Sequence, residues 1–474
     1  MKRSKHSLSH YHLTSMNQGL LVPIGMFEVL PGDTVQMSTS ALVRLSPLVS
    51  PVMHPVHAKI HHWFVPYRLL WDSWESFITG GPTGTDASVR PFFNVNGAVA
   101  AGTLSNYLGL PVGTYSNLQV SALPYRAYAL IFNEWYRDQD LVSAVGFSKA
   151  SGADVATNTT LLSAAWEKDY FTSARPFEQK GATASVALQQ APGQANLIRL
   201  QATNLPSGAG ALSSTGAGLL QSAGANAYID MASAGVSIDV NDLRESLAIQ
   251  RYREARARFG SRYTEYLRYL GVKSSDARLQ RPEYLGGGKQ TVQFSEVLQT
   301  AEGTNPVGMM RGHGIGAMRS NRWRRFFEEH GVVLSLMYTQ PRTVYMQAVN
   351  RSWFRTTKEM FWQKELEHIG QQPVLNKEVY AFSGTPDGVF GYQDRYDEYR
   401  RLESRVSGEF ATTLNYWHMA RDFGSGPVLN ASFVTSNPTT RVYASTTANQ
   451  LYVMAMHSIQ ARRMVSKVGN SFIF

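Results

Sequence analysis

The segment that most constrains the fold spans residues 30–81 and holds five prolines and three tryptophans. Alternating apolar side chains predict a strand over 34–45, with Arg44 pointing away from the apolar face. Prolines keep the next residues out of any strand ladder, and a second strand is predicted over 56–65. Residues 68–78 then change to helical spacing before two glycines, which predicts a short helix. The segment therefore predicts a core built on a sheet.

Composition excludes several classes of protein. The chain has 474 residues and no cysteine, so disulfides, thiolate metal sites and a cysteine nucleophile are excluded. A hydrophobic share of 43% is ample for a core, while no apolar run reaches the ~18 residues of a membrane span, so we expect no membrane insertion. No apolar stretch follows the basic first residues, which argues against a secretory signal. Stability must come from packing and assembly.

Positive charge is concentrated at the two ends of the chain. The formal net charge of +10 indicates an anionic partner but does not identify it. A basic arm over 1–19 and a basic tail over 461–474 contain no acid, and they are either contacts to a polyanion or flexible solubilising ends. The cations predicted here to bind nucleic acid are Lys2, Arg3, Lys5, Arg462, Arg463 and Lys467.

An arginine cluster with aromatic neighbours is the strongest internal signal for nucleic acid. Guanidinium groups hold phosphates while aromatic rings stack on unpaired bases. Glu328 and Glu329 follow directly and weaken this interpretation, so pairing between subunits and an ordinary solvated face stay open as alternatives. The residues predicted to contact DNA are Arg319, Arg322, Trp323, Arg324 and Arg325.

Two helices are predicted from local signals. Pro124 opens the first, whose aromatic stripe is typical of a core or a subunit contact, with a stacking surface for bases as the alternative. Asp239 or Asn241 caps the second, which runs to Phe259 and stops at Gly260. Four arginines lie in the second half of this helix, where their positive charges interact favourably with the negative end of the helix dipole. They are candidates for salt bridges between subunits or, alternatively, for contact with DNA. They are Arg251, Arg253, Arg256 and Arg258.

The last third of the sequence turns to β structure. Turn signals such as Pro386-Asp387-Gly388 separate its strand candidates. Early and late strands can be neighbours in one sandwich, so the pattern alone supports a β-rich domain with long helical insertions. The predicted strands cover 332–338, 344–349, 378–382, 431–435 and 451–459.

Residues 181–236 differ from everything around them. Arg199 and Asp230 are their only charges and Tyr228 is their only aromatic residue. Such a composition cannot build a conventional core, and its lack of cations argues against DNA contact. The segment is either a flexible linker or an insertion loop on the outer surface, and we prefer the loop because loops tolerate variation.

No catalytic constellation is evident. Acid pairs suited to glycoside hydrolysis lie among arginines, which lower carboxyl pKa values, the wrong direction for a general acid. We therefore predict ion-paired structural carboxylates, no catalytic residue and no cofactor. The acids concerned are Glu134, Asp138, Asp394, Asp397 and Glu398.

Clustered histidines do not predict a metal site. His57 and His61 share a strand face, but four residues along a strand span roughly 13 Å, too far for both rings to bind one ion. Lys59 between them repels a cation. We predict hydrogen-bonded structural roles for these two histidines and for His54 and His62, with a pH-sensitive contact as the alternative.

Several blocks of the sequence, in the same order along the chain, resemble the major capsid proteins of the gokushovirus branch of the Microviridae, small icosahedral phages with single-stranded DNA. The blocks are spread from Glu28 to Arg401. Residues 141–165 and 181–236 are the least similar to that family. They read EVLPGDT, VRLSPLVSPVMHPV, FVPYRLLWDSWESFITGG, LPYRAYALIFNEWYRDQD, DYFTSARPFEQKG, SRYTEYLRYLGVKSSDARLQRPEYLGGG and FGYQDRYDEYRR.

The resemblance implies a mainly β fold, a single eight-stranded viral jelly roll (β-sandwich) over 1–474 with long helical and loop insertions. It implies self-association through pentameric contacts into the smallest icosahedral shell, around a circular single-stranded DNA genome. Further implied partners are a small basic DNA-packaging protein and a host surface receptor. The resemblance also assigns host attachment to the 181–236 insertion, with Arg199, Tyr228 and Asp230 as the candidate residues. The protein would be a virion component, assembled in the bacterial host cytoplasm.

Contacts between subunits are assigned to Trp71 and Trp74 and to the four arginines of the second helix, because aromatic and arginine anchors dominate most interfaces. Two other classes of protein stay open. One is a carbohydrate-binding or carbohydrate-cleaving β-sandwich, in which exposed aromatics line a sugar groove. The other is a DNA-binding protein that is not part of a shell.

Overall fold

The computed structural model describes residues 3–182, 240–260, 262–300 and 306–467, and the backbone of six short strands between 189 and 237. Strands dominate these residues. The strands are β1 (Ser4–Ser7), β2 (His10–Met16), β3 (Val22–Val29), β4 (Thr34–Leu45), β5 (Val56–Pro66), β6 (Phe92–Val99), β7 (Gly113–Ser121), β8 (Gln189–Gln190), β9 (Ile198–Gln201), β10 (Ser213–Thr215), β11 (Leu219–Gln221), β12 (Asn226–Ile229), β13 (Val236–Ser237), β14 (Glu283–Leu298), β15 (Met310–Arg319), β16 (Trp323–Phe326), β17 (Gly331–Pro341), β18 (Gln371–Leu375), β19 (Val389–Asp394) and β20 (Leu451–Arg463).

Helices are few and mostly short. The α-helices are α1 (Trp74–Thr79), α2 (Leu104–Tyr107), α3 (Leu123–Ile131), α4 (Val240–Phe259), α5 (Tyr263–Tyr269), α6 (Asn376–Val379) and α7 (Ala431–Val434). A π-helical turn continues α3 over Phe132–Tyr136. Single 3-10 turns cover Tyr67–Leu69, Arg351–Phe354, Lys358–Met360, Lys364–Leu366, Asp397–Tyr399, Gly408–Ala411 and Asn415–Trp417.

Ten of the strands form one antiparallel sheet. Its order is β1-β20-β4-β15-β14-β5-β17-β3, with β2 paired to β20 and β16 paired to β4. The long strand β14 connects two halves, because its residues 283–292 pair with β5 and its residues 293–298 pair with β15. We call the half with β1, β2, β20, β4, β16 and β15 sheet 1, and the half with β5, β17 and β3 sheet 2.

The inner faces of the two sheets enclose a common core. Val43 and Val453 of sheet 1 lie in one hydrophobic cluster with Ile60 and Met337 of sheet 2. The chain is therefore a β-sandwich, and the predicted mainly β fold of jelly-roll type is confirmed. The predicted number of eight strands is not, since the sheet contains ten.

Alternation along β4 follows the prediction from the sequence. Val35, Met37, Val43 and Leu45 are buried in the sandwich, whereas Arg44 is exposed on the opposite face. The apolar residues of β4 thus fix which side of sheet 1 faces the core and which side faces outward.

Three consecutive glycines in β14 allow the strands around them to approach closely. A Cβ atom on Gly287 would lie 2.3 Å from the carbonyl oxygen of Ile60, and one on Gly288 would lie 2.9 Å from that of Arg319. The close backbone approach predicted for this glycine run is confirmed.

A helical layer covers the outer face of sheet 2. Tyr125, Tyr128 and Tyr136 pack with Trp63 and Leu334 in a second hydrophobic cluster, and the Tyr128 hydroxyl donates to the Leu21 carbonyl at 2.8 Å. The aromatic stripe predicted from α3 onward therefore belongs to the core.

Three predicted strands of the last third are not strands. Residues 344–349 are irregular, while α6 and α7 replace the strands expected over 378–382 and 431–435. Local capping explains both helices, because the Glu378 carboxylate accepts from the Leu375 N–H at 2.9 Å and the Asn430 side chain accepts from the Phe433 N–H at 3.0 Å. Strands β17 and β20 confirm the predictions over 332–338 and 451–459.

The chain divides into two compact units. One contains residues 1–178 and 259–474, and the other contains residues 179–258, which include the insertion proposed over 181–236. Within the smaller unit, β8 pairs with β13, β9 with β12 and β10 with β11. Helix α4 ends before Gly260, at the predicted stop, with a φ angle of +97° at that glycine.

Candidate nucleic-acid interface

The outward face of sheet 1 carries cations and no acids. Side chains alternate between the two faces of a strand, so the buried residues of each strand identify the neighbours that point outward. Among the described residues of its six strands, none on this face is Asp or Glu. Its exposed cations are Lys5, Arg44, Arg311, Arg319, Arg324 and Arg462. We call this surface the acid-free face.

Strand register brings these cations together from distant parts of the sequence. Lys5 of β1 lies opposite Arg462 of β20, and Arg462 lies opposite Thr34 of β4. Within the described part of the chain, none of the six cations forms an ion pair with a carboxylate. They are therefore available to an external anion.

Two further arginines border the same face. The Arg3 guanidinium stacks over the Phe326 ring, with its Cζ 5.1 Å from the ring centroid. Arg322 is exposed and lies beside the side-chain amide of Gln36 on β4. Both positions extend the positive surface at the β16 end of the sheet.

An apolar band crosses the acid-free face between its cations. It is formed by β2 and β20, and the exposed fraction of its side chains runs from 38% to 74%. Methionine is flexible and polarizable, and tyrosine offers a ring face, so this band suits planar, apolar ligands such as unpaired bases. Its members are Tyr11, Leu13, Tyr452, Met454 and Met456.

Two of the predicted DNA contacts have ion-pair partners within the chain. Arg325 pairs with Glu283 at 2.6 Å, and Arg463 pairs with the buried Asp33 at 2.9 Å, so both have partners within the chain. The tail over 461–474 contains no acid of its own, but folding brings Asp33 to Arg463. Lys467 is exposed beyond the end of β20. Lys2 lies outside the described residues.

Trp323 was predicted to contact DNA, and its burial in the structure contradicts that prediction. Its indole is 7% exposed and packs in the core beside Phe327 and Val35. A ring enclosed in this way offers no face to a base. Alternation in β16 explains the error, since Trp323 points inward while Arg324 and Phe326 point outward.

Sequence reasoning missed the apolar band and two of the cations. Arg44 was placed away from the core, yet nothing in the sequence showed which strands flank it. Register supplies that information, because Arg44 lies between Tyr452 and Ile315. Arg311 sits on β15 with no local motif around it, and only the sheet brings it to this surface.

The residues predicted to join subunits differ in exposure. Trp71 is 1% exposed and donates its indole N–H to Ser151 Oγ at 2.8 Å, so it is a core residue that cannot reach a neighbouring chain. Trp74 is half-buried against Tyr67, with 4.8 Å between ring centroids. A core and an interface share the same periodicity, which explains the wrong assignment of Trp71.

The arginines of α4 remain at the surface. Arg251, Arg256 and Arg258 are exposed, and the Arg256 guanidinium stacks over the Tyr252 ring at 5.5 Å. Arg253 is half-buried and donates to the Ala182 carbonyl oxygen. These four positions stay candidates for contacts between subunits.

Two of the three residues assigned to host attachment are neighbours in a strand pair. Arg199 of β9 lies opposite Tyr228 of β12. Asp230 lies outside the described residues. The structure thus brings one cation position and the one aromatic position of this segment together across a two-stranded sheet.

Three of the five acids considered for catalysis, Asp138, Asp397 and Glu398, are held in ion pairs. Asp397 lies 3.2 Å from Arg401, and Glu398 lies 3.1 Å from Arg355. Burial raises the pKa of Asp138, but Lys168, Arg175 and the Asp140 N–H together outweigh burial and hold that pKa below its ordinary value. The expected lowering is wrong for Asp397, because burial raises its pKa despite Arg401.

The clustered histidines make hydrogen bonds within the sandwich. His62 Nδ1 lies 2.8 Å from Ser335 Oγ, His61 Nδ1 lies 2.8 Å from the Tyr136 hydroxyl, and His54 Nε2 lies 2.7 Å from the Arg342 carbonyl. The predicted structural role is confirmed for these three. Across the described ranges, no group of three His, Asp or Glu side chains is arranged to hold a metal ion.

The two sheets and the acid-free face define a β-sandwich protein with one cationic surface. The sequence profile of the capsid protein (F protein) family matches residues 1–473, and the chain belongs to this family. Its function is therefore structural: it is a major capsid protein of a virion, it associates with copies of itself into a shell, and it is not an enzyme.

Similar proteins agree with this family. The chain is 36% identical to capsid protein VP1 of Bdellovibrio phage phiMH2K, over 88% of this chain and 85% of that protein. It is 31% identical to capsid protein VP1 of Chlamydia phage 1, over 92% and 90% of the two chains, and 27% identical to that of Spiroplasma virus 4, over 91% and 87%. No helix within the described residues is long and apolar enough to cross a membrane.

Proposed function

We propose that copies of this chain form a closed icosahedral shell around a circular single-stranded DNA genome, with the acid-free face of sheet 1 turned to the DNA. The observation that carries this proposal is the set of six exposed cations on one sheet face without an acid among its described residues. Phosphate contacts of this kind are independent of sequence, as the packaging of a whole genome requires.

The apolar band favours single-stranded over double-stranded DNA. Stacking on side chains such as Tyr11 and Tyr452 needs bases that are not already paired in a duplex. The cations on both sides of the band then hold the phosphates of the same strand. The face therefore combines the two elements by which single strands are bound without sequence preference.

Other parts of the proposal rest on the resemblance to gokushovirus capsids. The smaller unit carries Arg199, Tyr228 and Asp230 and is the proposed site of host attachment through a surface receptor. A small basic protein is the proposed helper in packaging DNA. Pentamers are the proposed assembly intermediates, formed in the bacterial host cytoplasm.

The salt dependence of binding to single-stranded DNA tests the acid-free face. Each lost phosphate contact reduces the slope of log K against log salt by about 0.7 for single strands. Replacement of Arg44 and Arg319 by Gln should therefore reduce it by about 1.4. Arg325→Gln is the matched control, because Arg325 already pairs with Glu283. An unchanged slope in the double variant would remove this face from the proposal.

One observation favours a second candidate function, carbohydrate binding. A pocket of about 440 Å³ on the outer side of sheet 2 is lined by aromatic rings. Of the rings that line it, Tyr284 is 46% exposed and Trp135 is half-buried, so these two can stack on a sugar face. A glycan screen with the assembled protein tests it, and binding that survives Tyr284→Ala would exclude this pocket. The aromatic residues lining it are Trp63, Trp135, Tyr136, Trp166, Tyr284 and Tyr338.

A further inference from the structure

Three strongly exposed apolar side chains lie in one region of the larger unit. Trp353 is 76% exposed, Phe382 is 75% exposed and Leu402 is 84% exposed. Trp353 and Leu402 line a groove of about 440 Å³, together with the half-buried Ala348 and Val349. Large apolar side chains left this exposed on a soluble surface mark a binding site.

Hydrogen bonds hold the groove in place. Asn350 Nδ2 donates to Glu403 Oε2 at 2.9 Å, which joins the segment of Trp353 to that of Leu402. The Ala381 N–H donates to the Gln347 carbonyl at 3.0 Å, which fixes the turn of Phe382 beside the same segment. The groove is therefore preorganised and loses little conformational entropy when a partner binds.

Two aromatic residues continue the surface along the chain, and the largely enclosed Arg355 supports one of them. The Arg355 guanidinium stacks over the Tyr399 ring, 4.3 Å from its centroid, and pairs with Glu398 at 3.1 Å. The backbone N–H of Trp362 donates to the Tyr399 hydroxyl at 3.3 Å. Tyr399 and Trp362 remain about half exposed. Tryptophan and tyrosine are among the residues that dominate protein interfaces.

Charges around this surface indicate what kind of partner it fits. Lys358, Glu359, Glu365 and Arg405 are all exposed, so both signs are present. Exposed acids repel DNA, in contrast to the acid-free face of sheet 1. A mixed polar rim around an apolar centre is the composition of a protein–protein interface.

We propose that the groove between Trp353 and Leu402, with Phe382 beside it, binds a second copy of this chain in the shell. The inference rests on the proposed shell, in which every copy has neighbours with identical surfaces at high local concentration. A contact of this kind between unlike surfaces of identical chains builds rings and closed shells. It replaces Trp71, which is buried, as the aromatic anchor between subunits.

Assembly of the full-length chain tests the groove. The variant carries Trp353→Ser and Leu402→Ser, and Met53→Ser is the matched control, because Met53 is 67% exposed and lies on another loop. A second variant, Leu402→Lys alone, places a charge at the most exposed position. Melting temperature and near-ultraviolet circular dichroism establish that each chain is folded. Light scattering and negative-stain electron microscopy then give the concentration at which closed particles form.

The outcomes separate this inference from the proposed function. We expect wild type and Met53→Ser to form particles at the same concentration, and both groove variants to need at least about tenfold more protein. Particles of all four chains at one concentration would overturn the groove as an interface and leave the shell intact. If no chain, wild type included, forms particles or pentamers, then the proposed shell fails and this inference fails with it.

Discussion

Arg126 and Asp154 form an ion pair that is enclosed on all sides. Arg126 Nε lies 2.7 Å from Asp154 Oδ2, and their side chains are 1% and 0% exposed. Arg126 also donates to the carbonyl oxygens of Leu70 and Ala150, at 2.9 Å each. This one guanidinium therefore links α3 to the segment before α1 and to the loop around residue 150, which lie outside the helices and strands.

Removal of Arg126 should be strongly destabilising. Arg126→Ala leaves the Asp154 carboxylate buried without its charge partner, and breaking a buried pair in this way costs about 3–5 kcal/mol. Urea unfolding of the dissociated chain measures the effect. Arg325→Ala is the control, since its pair with Glu283 is half exposed and contributes only ~0–1 kcal/mol. Equal losses in the two variants would show that the burial of Arg126 is unimportant.

Two buried histidines should make the sandwich sensitive to acid. Burial lowers the pKa of His62 to about 3 and that of His457 to about 4, from an ordinary value near 6.5. The folded chain thus keeps both rings neutral, while the unfolded chain binds protons below pH ~6.5. Their contribution to stability is complete above that pH. It is lost as the pH falls towards 4 for His457 and towards 3 for His62, by about 1.4 kcal/mol per pH unit for each histidine.

Unfolding by urea at pH 7.5 and pH 5 checks this dependence. His62→Gln and His457→Gln should each lose less stability between the two pH values than the wild type does, because glutamine does not titrate. Exposed His313 provides the control, and His313→Gln should behave as the wild type. A pH dependence that is the same in all four chains would contradict the assignment.

Neighbouring arginines at the end of β20 should have opposite effects. Arg463 pairs with buried Asp33 and is 17% exposed, so Arg463→Ala should reduce the free energy of unfolding by about 2–3 kcal/mol. Arg462 is exposed on the acid-free face, and Arg462→Ala should change stability by less than about 0.5 kcal/mol while weakening DNA binding. Urea unfolding of both variants measures the change in stability, and a titration with DNA measures the change in affinity. A stable Arg463→Ala chain with weakened DNA binding would reverse the two roles.

Local patterns in the sequence predict local structure, but they do not predict which residues distant in the sequence pair in the fold. Alternation identifies the buried face of β4, and the stop at Gly260 places the end of α4, because these signals act over a few neighbouring residues. The pair of Asp33 and Arg463 joins the two ends of the chain and leaves no local trace. Trp71 shows a second limit, since a buried ring and an interface ring have the same spacing.

Tyr452 provides the sharpest test of how the acid-free face binds DNA. Its ring is 45% exposed and lies between Ser15 and Arg44 in the sheet register, where a base can stack on it while the arginine holds a phosphate. Stacking on an aromatic ring contributes about 1–3 kcal/mol per base. Tyr452→Ala should therefore weaken binding of single-stranded DNA by about 5-fold to 150-fold. It should leave the salt slope unchanged, because no cation is removed, and it should have little effect on binding to a duplex of equal length.

Trp323→Ala should instead destabilise the chain by about 3–5 kcal/mol, since its indole fills the core. Fluorescence titrations with a single strand and with its duplex, beside urea unfolding, separate the two residues. Equal loss of affinity for single strand and duplex in Tyr452→Ala would show that the band binds DNA through the backbone and that stacking plays no part.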